Sequence, residues 1–191
     1  MKRTAKPGGP QCGRENRDRD AALALLSLCF LLGAAAGALL ERVLPGGGWA
    51  AGLWQSAEAG LNLPPLRLEV WSVCRWPAAV LLLSALPMRA GTIPLLFLLR
   101  GTTLAYCVAS LAGGGSLWEL AGTGAVLGPV CLLTVPVLFL LGTESLMQAA
   151  GTKGGRRRLL RGTAVSAPVL AFAVFVGQRV TPLLLTALFS K

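Results

Sequence analysis

Two arginines, Arg100 and Arg179, fall inside long apolar stretches of the chain. A charge placed at the centre of a membrane helix costs roughly 2.5 to 3.5 kcal/mol even on insertion scales. A guanidinium kept there reads as an anion or carboxylate site, or as one half of an interhelical pairing. The plainer account is that each side chain bends toward its nearer surface and leaves its head among the lipid headgroups. Ser116 and Glu119 have the spacing of a capping box, which gives Glu119 a sufficient local role at a helix start. Arg156, Arg157, Arg158 and Arg161 form a basic run that suits either anionic lipid headgroups or a topology anchor. Catalysis has little to work with: the chain has no histidine, and its apolar segments place no Asp or Lys beside a nucleophile. The five cysteines are odd in number and lack C-x-x-C spacing, so neither a disulfide framework nor a zinc site is implied. The sequence therefore predicts no enzyme, no metal and no cofactor.

These residues are held by segments that belong in lipid. Hydrophobic residues make up 54% of the chain against 14% charged, and residues 21–40 carry no charge at all. At about 1.5 Å per residue such a run spans about 30 Å, the thickness of the hydrocarbon core. The run exceeds the usual apolar region of a cleaved signal peptide, and more apolar segments follow it. The expected fold is an all-α integral membrane protein of about five transmembrane helices, over 21–40, 70–88, 92–112, 117–142 and 163–189. A basic cytoplasmic tail over residues 1–20 precedes this membrane domain of 21–189. Between the first two spans, Leu53, Trp54, Ala57 and Leu61 recur at helical spacing opposite Gln55, Ser56 and Glu58. That pattern predicts a short amphipathic helix lying on the outer surface.

Charge sets the orientation. Twelve of the eighteen basic residues fall on one side of this layout: six in the tail, Arg89 in a turn, and five in the segment 151–161. Arg42, Arg67, Arg75 and Lys191 fall on the other. The excess places the amino terminus in the cytoplasm and the carboxy terminus outside the membrane. All five tryptophans, Trp49, Trp54, Trp71, Trp76 and Trp118, map to the outer half, where indoles favour the headgroup zone. The net charge of +10 lies between apolar segments with no interleaved aromatic platform, so a nucleic-acid partner is not expected.

Helices in lipid associate through close packing of small residues. Gly33 and Gly37 frame one such face and Gly124 and Gly128 another, each serving either packing inside the bundle or docking of a partner.

The order of these features resembles the stage II sporulation protein M family: a basic tail, a helix with a glycine-rich end, an outer helical loop, and a helix hairpin bearing Gly91-Thr92-Ile93-Pro94 followed by Arg100-Gly101. The likeness runs from about Leu25 to Gly142 and suits a divergent member or a paralogue. It implies a non-catalytic multispanning scaffold that recruits peptidoglycan hydrolases, the stage II sporulation proteins D and P, to the septal membrane during engulfment. The rival class is a small transporter or transporter subunit with Arg100 and Arg179 at a substrate site, which would use broken helices and charge near the midplane.

Overall fold

Hydrophobic length and the positions of breakers decide where helices begin and end, and the described residues form five. The computed structural model describes residues 10–43, 66–86, 88–111, 117–151 and 155–189. They form α1 (Pro10–Val43), α2 (Leu66–Ser84), α3 (Arg89–Leu111), α4 (Leu117–Ala149) and α5 (Gly155–Phe189). Four stretches are long and apolar enough to cross a membrane, Asn16–Val43, Ala90–Ser110, Leu127–Ala149 and Arg157–Val180. In α2 the corresponding run, Val70–Ser84, is shorter. Leu31, Leu39, Leu132, Val165 and Phe175 on these helices are all more than half exposed. An apolar surface of this extent faces lipid rather than water, and the chain is an all-helical membrane protein.

Several boundaries differ from those the sequence suggested, each for a local reason. Helix α1 begins at Pro10 rather than near residue 21, so half of the expected tail is helical. Proline suits a first helical turn, and the sequence from there to Ala21 holds no second proline to interrupt it. The hairpin between α2 and α3 turns over Ala85 and Leu86, whose amides bond Leu82 O and Leu83 O at 3.2 and 3.1 Å. Pro87 follows directly and disfavours helix at the residue before it. Helix α3 consequently starts at Arg89 rather than at residue 92, and the Thr92 hydroxyl donates back to Met88 O at 3.3 Å.

Helix α4 runs past Gly142 to Ala149. Gly142 is a packing position, with Phe97 2.7 Å from where its Cβ would stand. The helix ends instead at Gly151, which takes φ +76°, the left-handed conformation of a terminating glycine. Helix α5 starts at Gly155, so the basic run lies on its first turns, and it continues unbroken to Phe189. The expected surface helix over 49–69 lies outside the described residues except for 66–69, which belong to α2.

The helices alternate in direction. Gly33 meets Leu98 and Gly37 meets Thr102, so α1 and α3 run parallel. Phe30 meets Phe139 and Arg19 meets Glu144, which sets α4 antiparallel to α1. A Cβ on Gly162 would stand 3.7 and 3.8 Å from the side chains of Leu140 and Leu141, so α5 returns along α4. Leu26, Val80, Ile93, Leu141 and Leu159, one from each helix in order, join in a single buried cluster. Phe139 receives the rings of Phe30 and Phe97 edge-on at centroid distances of 5.8 and 5.0 Å, a geometry favoured by the ring quadrupoles.

Candidate functional site

The closest helix contact is built from absent side chains. A Cβ on Gly33 would overlap the carbonyl oxygen of Leu98, one on Gly37 that of Thr102, and one on Gly101 that of Phe30. The backbones of α1 and α3 therefore touch, and the Gly33 and Gly37 face is spent within this bundle. Thr102 sits in the seam with its hydroxyl bonded to Leu98 O at 2.9 Å. Gly124 and Gly128 have nothing within 4 Å of an added Cβ among the described residues.

The same contact fixes α3 and with it Arg100. Because α3 begins at Arg89 and ends at Leu111, Arg100 stands at its midpoint, deeper than a start at Thr92 would place it. Its guanidinium carbon lies 5.0 Å from the centroid of the Trp76 ring on α2, and that of Arg75 lies 5.6 Å from the same centroid. Trp76 thus turns toward the bundle and packs against the core cluster. Arg100 Nε and Trp76 Nε1 are both buried without a hydrogen-bond partner among the described residues. No carboxylate among the described residues forms an ion pair with Arg100. Beside Arg100 lies a small apolar cleft lined by Phe30, Trp76, Phe97, Val135 and Phe139 among others. A cation over an indole in a desolvated setting is worth about 2 kcal/mol, which offsets part of the cost of the buried charge.

Arg179 is not brought to this place. It lies ten residues before the last residue of α5, Phe189, and is exposed, with no ion pair or ring contact among the described residues. Arg157, Arg158 and Arg161 are exposed on the first turns of α5. They share one end of the bundle with Arg17 and Arg19 at the start of α1. Ser116 lies outside the described residues, as do the side chains of Glu119 and Arg156. The pairing that sequence reasoning missed is Arg19 with Glu144, at 3.7 Å, where the Glu144 side chain is only 14% exposed. Its signal was available, an isolated acid just inside the last turns of α4, but the partner is more than a hundred positions away.

Six described hydroxyls donate to carbonyls of their own helices, among them Ser84 to Leu81 O at 2.6 Å, Thr143 to Phe139 O at 2.7 Å and Ser166 to Thr163 O at 2.9 Å. Such bonds let a hydroxyl sit in lipid without a partner on another helix. Among the described residues no three His, Cys, Asp or Glu side chains gather as metal ligands would. Comparison of the chain with family models, with curated proteins and with solved structures gives no match.

Proposed function

We propose that this protein is a non-catalytic membrane scaffold that positions partner proteins. The observation that carries the reading is the glycine seam, which presses the backbones of α1 and α3 together at Gly33, Gly37 and Gly101. Such a bundle holds a fixed shape in lipid. The order of motifs shared with the stage II sporulation protein M family supplies the context, a bacterial cell membrane at the septum during engulfment. It also supplies the partners, cell-wall hydrolases of the stage II D and P kind. In this reading all five helices cross, α2 with a thinned bilayer around its short apolar run. The gathering of exposed arginines at one end of the bundle supports a cytoplasmic amino terminus and an extracytoplasmic carboxy terminus. The outer-surface helix before α2 belongs to the same proposal.

One observation favours the rival transporter reading, the unpartnered Arg100 Nε beside a cleft at the middle of α3. Reconstitution separates the two. Purified protein in liposomes is expected to move no solute and to hydrolyse no peptidoglycan. Saturable solute flux that vanishes in Arg100→Ala, with the variant still folded in the membrane, would replace the scaffold with the transporter.

A further inference from the structure

We infer that Arg75, Trp76 and Arg100 form a binding site for a phosphate-class oxyanion entering from the leaflet at the amino-terminal end of α2. Two guanidinium groups, on different helices, lie within 5.6 Å of one indole centroid. No carboxylate among the described residues pairs with either, and Arg100 Nε and Trp76 Nε1 lack acceptors. An oxyanion that reached this ring would supply both a counter-charge for the two guanidinium groups and the acceptors that Arg100 Nε and Trp76 Nε1 lack.

The way in follows from the length of α2. Its apolar run covers Val70–Ser84, about 22 Å at helical rise, against the roughly 30 Å of a hydrocarbon core. A short run is met by local thinning of the bilayer, which lowers the headgroups beside α2. Arg75 is five residues, about 7.5 Å, past Val70. It is exposed to the surroundings of the bundle, and its Cα–Cβ bond tilts toward the start of its helix, the direction in which a snorkelling arginine extends. Arg100 comes to the same indole from α3, whose place is fixed by the Gly33 and Gly101 contacts. The anion has two sources of one chemistry, the phosphodiester of an anionic lipid or a soluble phosphate. This site stands apart from the scaffold reading, since a bound phosphate there requires no septal partner.

The test uses the full chain with Trp49, Trp54, Trp71 and Trp118 replaced by Phe, so that Trp76 alone emits. It is reconstituted in brominated phosphatidylglycerol or brominated phosphatidylcholine. The expected result is a preference of about three- to tenfold for phosphatidylglycerol in quenching Trp76, falling to about one in Arg75→Gln/Arg100→Gln. Arg157→Gln/Arg158→Gln, at the far end of the bundle, leaves the preference unchanged. In a second arm inorganic phosphate is titrated against the protein in phosphatidylcholine alone. A saturable change in Trp76 emission that the double variant loses assigns a soluble anion to the same site. Circular dichroism and a single gel-filtration peak establish that the double variant folds; if it does not, Arg75→Lys/Arg100→Lys, which keeps both charges and loses the forked donors, takes its place and is expected to lower the preference at least threefold. Equal quenching by both lipids with no response to phosphate overturns the inference.

Discussion

Gly33 of α1 lies directly against the carbonyl of Leu98 on α3, with no room for a methyl group between the two backbones. Two residues further along α3 stands Arg100, so the depth and facing of the buried charge depend on a glycine in another helix. In lipid, where apolar side chains gain nothing by leaving their solvent, such contact area is the main force between helices.

A methyl group at this seam is therefore costly. Gly33→Ala and Gly101→Ala are expected to lower stability by about 1 to 3 kcal/mol through overpacking against backbone, and Gly33→Leu by more. Gly124→Ala, where the space is open, is expected to be neutral. Thermal unfolding in mild detergent followed by circular dichroism checks the order, and an unaffected Gly33→Leu would mean that α1 and α3 do not touch there.

The Arg100 and Trp76 contact predicts a measurable coupling. In a double-mutant cycle of Arg100→Ala and Trp76→Ala the interaction energy is expected at about 1 to 2 kcal/mol. Arg100→Lys retains part of it, because an ammonium also sits well over an indole. Strict additivity of the two single changes would show that the ring does not stabilise the charge.

At the end of α4 the left-handed Gly151 makes a separate prediction. Gly151→Ala is expected to cost about 1 to 2 kcal/mol, and Gly151→Asn less, since asparagine visits that conformation more readily. The unfolding measurement used for the seam reads it. Equal stability of all three would mean that the helix ends in another way.

Orientation is open to chemical labelling. In a background with the five native cysteines replaced, a thiol introduced at Ser56 is expected to react with an impermeant reagent applied to whole cells, while one at Thr152 reacts only after lysis. The reverse pattern would invert the bundle.

The apolar spans and their alternation were legible in the sequence because both follow from local quantities, the length of uncharged runs and the placement of arginines. The spacing of Gly33 and Gly37 showed a packing face but not its occupant, which sits some 65 residues away at Leu98. Gly142 was misread as a stop because a glycine that packs against a ring and one that ends a helix look alike until the ring, Phe97, is placed. Trp76 was assigned to a headgroup belt by type and position, and only the facing of α2 against α3 turns it toward Arg100. The Arg19 and Glu144 pair escaped for the same reason, since nothing local links α1 to the end of α4.

The proposed role itself is tested most directly by where its partners go. If the proposed role holds, the setting is a sporulating cell carrying this protein, in which fluorescently tagged septal peptidoglycan hydrolases would be imaged with the protein present, absent, and replaced by Gly33→Leu. The scaffold account predicts that the hydrolases disperse from the septum when the protein is absent, and that Gly33→Leu disperses them in proportion to its loss of folded bundle. Hydrolases that stay at the septum in cells lacking the protein, with engulfment completed on time, would contradict it.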